Sequence, residues 1–233
     1  MTESPVQQSE QYLLAVRGGE SPAEYRSSLA SLAPDELATA RATDEQRLAF
    51  WINCYNAITQ RVIAENSTGY KSRRDFFKRP HETIAGQELS LDDIEHGILR
   101  RGQHPFGVGY LRRPSRLRDD FLLQQEPSAL DTRIHFALNC GARSCPPVVV
   151  YNPSQLDPQL NAAVDRYLQA ETKFDEQTET VTIPAVFDWF EGDFGGRPGV
   201  IQFLRSHGAI PKDFSPVIKY RGWDWESVPR NFH

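Results

Sequence analysis

The chain has 233 residues, enough for one large domain or two small ones. Hydrophobic residues make up 39%, aromatics 11% and charged residues 24%, an ordinary soluble globular balance, and three cysteines are too few and too odd for a disulfide scaffold. A net charge of -5 gives no reason to expect nucleic-acid or anionic-membrane binding, although local patches escape a global sum.

The opening MTESPVQQSEQYLL has no basic n-region and no apolar h-region, so no secretory signal is expected. No apolar run approaches the roughly 20 residues of a membrane span. A reducing cytoplasm is the expected compartment. The first forty residues carry two helical patterns, QYLLAV and AEYRSSLASL, split by RGGESP and followed by a break at APD. They are expected as peripheral helices on a single globular domain spanning 41–233.

TDEQRLAFWINCYNAITQRVIAEN is the strongest helix. Thr43 and Gln46 fit a capping box, and Asp44 and Glu45 sit where the helix dipole favours negative charge. Apolar side chains spread around most of the cylinder, so it should be buried on several sides. A narrow polar stripe of Glu45, Asn53, Asn56 and Gln60 either pins neighbouring loops or faces a site. HETIAGQELSL predicts a hairpin turning at Ala85-Gly86, running into a helix at SLDDIEHGILRR with Ser90 and Asp93 as its cap. At about 100° per residue, Glu95 falls inside the stripe of Leu91, Ile94 and Ile98, and His96 lies well off it. A carboxylate on an apolar face needs a cationic partner or a chemical role.

RIHFALNC (133–140) alternates as a strand, with Ile134, Phe136, Leu138 and Cys140 on one face and His135, Ala137 and Asn139 on the other. On a straight strand His135 and Cys140 stand roughly 16 Å apart on opposite faces, so no dyad forms within it. GARSC then predicts a tight loop before Pro146-Pro147, carrying Arg143 and Ser144 and able to bring Cys140 and Cys145 within disulfide reach. Beyond it come a helix starting near Asp157 with Pro158 at its first position, a strand pair in TKFDEQTETVTIP, FDWFEGDF, the helix GVIQFLRSHG, and a final strand in IKYRGWDWESV. Helices and strands mix without regular βαβ alternation, so an α+β domain is expected, with a central buried helix packed on a small mixed or antiparallel sheet.

FWINCYNA, SLDDIEHGILR, IHFALNCGARSCPP and FDWFEGDF together resemble the family catalogued as domain of unknown function 547. The resemblance covers most of the chain after about residue 40. The residues matching its pattern are Asn53, Asn56, Glu95, His96, His135, Cys140, Gly141, Ser144, Cys145 and Pro146; Cys54 is not among them. The resemblance implies a site but no reaction.

Two chemical readings compete, and a third is structural. In a thiol hydrolase or acyl transferase acting on an amide or ester, Cys140 is the nucleophile, His135 or His96 the base and Glu95 or an asparagine the orienter. Loop amides would hold the oxyanion, with Asn53, Asn56, Asn139, Arg143, Ser144 and Cys145 as binding residues. A buried aromatic helix followed by histidine-bearing strands loosely resembles papain- and transglutaminase-like enzymes, but their cysteine begins the central helix. No cofactor is needed for that chemistry. Alternatively His96, His135, Cys140 and Cys145 hold zinc, or the two cysteines are a disulfide or buried pair that braces the loop, with His135 a satisfied core histidine. A non-enzymatic ligand- or peptide-binding module, framed by Trp51, Trp189, Trp223, Trp225 and LRRPSRLRDDF, is the remaining rival. The expected partner is a small molecule or peptide, with no nucleic acid and no membrane, and oligomeric state is not legible.

Overall fold

The computed structural model describes residues 3–40, 42–65 and 72–232. Arg41, the expected domain boundary, and Asn66, the expected end of the long helix, lie outside them. That helix is α4, Asp44–Glu65. Its capping box forms in both directions, with Gln46 N donating to Thr43 Oγ1 (3.2 Å) and Thr43 N to Gln46 Oε1 (3.1 Å). Every residue from Leu48 to Ile63 is buried, as the all-round apolar pattern requires.

Helices α1 (Pro5–Gly18), α2 (Ala23–Ala30) and α3 (Pro34–Thr39) precede it. Helix α1 packs along α4, and Tyr12, Leu13 and Leu29 share the core cluster of α4. Tyr12 Oη donates to Glu82 (2.8 Å) and accepts from Arg61 Nε (2.9 Å), a buried polar link between α1, α4 and the first strand.

After α5 (Arg73–Lys78), strands β1 (Pro80–Ile84) and β2 (Gln87–Ser90) form the expected hairpin. Ala85 (φ 48°) and Gly86 (φ 74°) both lie in the left-handed region that a two-residue turn of this hand demands. Ser90 and Asp93 cap the next segment reciprocally. That segment, Asp93–Leu99, is a π-helix, closed by Arg100 N donating to Glu95 O (2.8 Å). The widened turn invalidates the 100° step used above: His96, placed off the buried face by that step, is brought inward beside Glu95.

The stretch 133–140 is not a strand. Thr132–Phe136 forms a 3-10 turn capped by Asp131, whose carboxylate accepts from Arg133 N (3.0 Å). The two-faced alternation disappears because residues 134–139 are buried throughout. Their main chain bonds within the turn, with Ala137 N and Leu138 N donating to Ile134 O, and to the Asn56 side chain of α4, which takes Ala137 O and Asn139 N.

Helix α6 (Asp120–Gln125) lies between these segments, and α7 (Leu156–Glu171) follows, with Pro158 at its third position rather than its first. β3 (Lys173–Asp175) pairs antiparallel with β4 (Thr180–Pro184), and β5 (Val217–Arg221) pairs parallel with β4. Helices α8 (Val186–Trp189) and α9 (Gly196–Ser206) complete a second core around Phe136, Val181, Phe187 and Leu204. The architecture is α+β, with a two-stranded sheet whose β1 touches α4 and a three-stranded mixed sheet whose β4 lies in the second core. The final strand stops at Arg221. Residues 223–232 run on as a strap, bonding Arg143 N to Glu226 O (2.8 Å), Val228 N to Gly141 O (2.9 Å) and Val148 N to Asn231 O (2.8 Å). Among the described residues no helix is long and apolar enough to cross a membrane.

Candidate functional site

The singled-out residues gather in two groups joined by residues 135–140. The first surrounds Arg100 and Asp193, neither of which the sequence pattern had picked out. Both side chains are 0% exposed and form a forked pair, Nε to Oδ2 at 2.7 Å and Nη2 to Oδ1 at 3.1 Å. His135 Nε2 donates to Asp193 Oδ2 (2.9 Å), and its ring stacks on Phe190 with centroids 4.2 Å apart. Arg100 Nη1 donates to His96 Nδ1 (2.8 Å), and its guanidinium lies 4.3 Å from the Phe190 centroid. Because arginine cannot accept, His96 is held neutral with its proton on Nε2. Tyr55 Oη donates to Glu95 Oε2 (3.0 Å).

Burial dominates the electrostatics here. It lowers His96 to a pKa of about 3, helped by Arg100, and lowers His135 against the pull of Asp193. It raises Glu95 against the opposing effect of Arg100. Burial also works to raise Asp193, but its bonds to His135 and Arg100 win and hold it below the usual carboxylate value. Glu95 itself bonds Tyr55, and Arg100 acts on it only through space, because Asp193 is the carboxylate on which both His135 and Arg100 converge. The legible signal for Asp193 was an acidic residue inside the aromatic run FDWFEGDF, and for Arg100 a cation one turn beyond an inward carboxylate.

The second group is built on the α4 stripe. Asn53 clamps Tyr151, donating to its O (2.8 Å) and accepting from its N (2.9 Å). Asn56 donates to Ala137 O (3.0 Å) and accepts from Asn139 N (2.9 Å). Gln60 donates to Asn139 Oδ1 (3.0 Å) and accepts from Arg230 N (2.9 Å). Asn139 also accepts from Gly141 N (2.7 Å) and donates to Pro146 O (2.6 Å). These amides hold the 137–151 segment in place, the pinning role that buried amides on a helix can fill.

That segment ends in the cysteine loop. Cys140 and Cys145 have Cα atoms 6.2 Å apart and sulfurs within bonding distance, so they form a disulfide pair. Cys145 is 6% exposed and Cys140 is half-buried. Cys140 N donates to Cys145 Sγ (3.1 Å). Most other loop amides are engaged too: Gly141 by Asn139, Arg143 by Glu226 O (2.8 Å), Ser144 by Asp224 O (3.3 Å) and Cys145 by Ala142 O (3.0 Å). Ser144 Oγ accepts from Asp224 N (2.9 Å), and the Arg143 guanidinium pairs outward with Asp224 and Glu226. A cavity of about 230 Å³ opens beside the loop, lined by Phe136, Ser144, Cys145, Arg166 and Tyr167. A larger one, about 450 Å³, lies at the start of α4 beside Glu45, Asp131 and Arg133, away from both cysteines. Among the described residues no group of three or more His, Cys, Asp or Glu is arranged to hold a metal ion.

Residues 39–168 match the family described as "Protein of unknown function, DUF547". The chain belongs to this family. The matched DUF547 region contains the whole cysteine loop, α4 and the π-helix, while Asp193, Phe190 and the strap lie beyond it. Neither the curated proteins nor the solved structures offer a match. One expectation changes within the site. Trp51 is 1% exposed in the core and frames no ligand, whereas Trp189, Trp223 and Trp225 do cluster, with centroids 5.0–6.0 Å apart. Cys54 is fully buried, and desolvation pushes its thiol up.

Proposed function

We propose that this DUF547 chain is a thiol–disulfide exchange protein whose working group is the Cys140–Cys145 pair. The observation that carries the proposal is the meeting of these two sulfurs on a pinned loop beside a cavity, one more exposed than the other. An incoming thiolate attacks Cys140, the more exposed residue of the two. The S–S bond breaks, and its electron pair leaves on Cys145, whose thiolate is stabilised by the Cys140 amide. A second thiolate attacks the outer sulfur of the mixed disulfide and departs with it as the small-molecule disulfide, and the two protein thiolates take up protons from water to give the dithiol. In a reducing compartment such pairs cycle rather than persist.

Hydrolysis or acyl transfer, expected from the sequence, would draw on the same reduced thiol. It also needs a base and free oxyanion donors, whereas both histidines are bound to Arg100 and Asp193 and four loop amides are engaged. Exchange at sulfur needs neither.

The test is to equilibrate the full chain across ratios of reduced to oxidised glutathione, trap thiols with a maleimide and map them by mass spectrometry. Cys140 and Cys145 should titrate together and reversibly, with Cys54 unaffected, and Cys145→Ser should trap glutathione on Cys140. A pair reduced at every ratio, or oxidised at every ratio, overturns the proposal.

A further inference from the structure

The whole-chain charge of -5 hides a local exception. From Arg101 to Arg118 there are five arginines and no acidic residue. Of eight large hydrophobic side chains exposed among the described residues, five fall in this stretch: Phe106 (76%), Val108, Tyr110, Leu111 (62%) and Leu117 (72%). Residues 110–117 are exposed without interruption. An exposed apolar cluster of this kind marks an interaction surface rather than ordinary surface scatter.

The segment is a closed knuckle. His104 N donates to Leu111 O (2.6 Å), Gly107 N to His104 O (3.0 Å), Tyr110 N to Gly107 O (2.8 Å) and Arg113 N to Gly102 O (2.9 Å). Its base is fastened to the rest of the protein by Gly192 N donating to Val108 O (2.8 Å), and by Arg112 and Arg118, which pair with Glu126. Arg113 and Arg116 have no ion-pair partner among the described residues, and Lys78 of α5 stands 5.5 Å over the Phe106 ring. The apolar tips therefore project from a fixed base, among unpaired cations.

We propose that this knuckle docks the protein peripherally on an anionic lipid bilayer. Phe106, Leu111 and Leu117 would enter the headgroup–acyl boundary, while Arg113 and Arg116 meet lipid phosphates and carboxylates. Projecting apolar side chains suit a deformable bilayer. An acidic protein partner would need a concavity shaped to them, and a second copy of this chain would bring a face of like charge. The net negative charge of the remaining chain repels the membrane, which leaves the knuckle as the favoured approach.

The experiment is co-sedimentation of the full chain with phosphatidylcholine vesicles made with and without phosphatidylserine. Wild type should bind only the phosphatidylserine vesicles and be released by high salt. Arg113→Gln with Arg116→Gln should weaken binding by roughly thirtyfold, and Leu111→Ser with Leu117→Ser by at least about tenfold. Absence of binding to phosphatidylserine vesicles at low salt overturns the proposal. So does binding that the leucine variant leaves unchanged, which is adsorption without insertion. Sedimentation velocity showing a lipid-free dimer that the leucine variant dissolves assigns the face to a second copy and likewise overturns it.

Discussion

Arg100→Met offers the sharpest test of how the buried cluster is held. Its guanidinium and the Asp193 carboxylate are both 0% exposed, so removing the cation strands a buried anion. Breaking a buried pair from one side costs roughly 3–5 kcal/mol, because the desolvation of the survivor is no longer compensated. For a chain of this length that is a fall in Tm of about 6–10 °C. His135 stays on Asp193, and Arg100 is one cause of its lowered pKa, so losing the cation raises His135 and lets it carry a compensating proton. The variant's deficit should therefore be smaller at about pH 5.5 than at about pH 8. The assay is urea unfolding followed by far-UV circular dichroism, with the slope on denaturant expected to stay constant. Arg100→Met with Asp193→Leu, which removes both charges, should lose much less than the sum of the single changes. A cost for Arg100→Met below about 1 kcal/mol, or additive singles, would refute the idea that a desolvated pair organises this cluster.

His96 is lowered to about 3 against an unfolded value near 6.5, so below about pH 6.5 the unfolded chain binds a proton that the folded chain refuses. Stability should fall as pH drops through that window, by up to about 1.4 kcal/mol per unit, and His96→Asn, which keeps an acceptor for Arg100, should flatten the slope; an unchanged acid profile would contradict the neutral tautomer. Asn56→Ala leaves Ala137 O and Asn139 N buried without partners and should cost about 2–5 kcal/mol in the same unfolding assay. Gly109 has φ +81°, and a Cβ there would stand 2.4 Å from Asp193 N, so Gly109→Ala should destabilise the protein by more than about 1 kcal/mol. Iodoacetamide should alkylate reduced Cys140 well before Cys54, whose thiol is raised by burial; equal rates, followed by mass spectrometry, would contradict that placement.

Local signals proved decisive where one stretch of chain carries its own instructions. The Thr43–Gln46 box, the Ala85-Gly86 turn and the Ser90–Asp93 cap each involve residues no more than three apart, so hydrogen bonding and backbone sterics settle them before any packing. The all-round burial of α4 was likewise written in its residue pattern. So was the loop that brings Cys140 to Cys145, because five residues with a glycine leave little freedom.

What the sequence could not decide depends on partners far along the chain. Residues 133–140 alternate like a strand, yet Asn56, 83 residues before Asn139, supplies the hydrogen bonds that a neighbouring strand would have made. His96 faces inward because the π-turn is stabilised by its surroundings, which no periodicity rule includes. The clearest case is Asp193, 93 residues from Arg100 and 58 from His135. A buried charge is tolerated only where its counter-charge arrives, and that meeting is made by the tertiary fold alone.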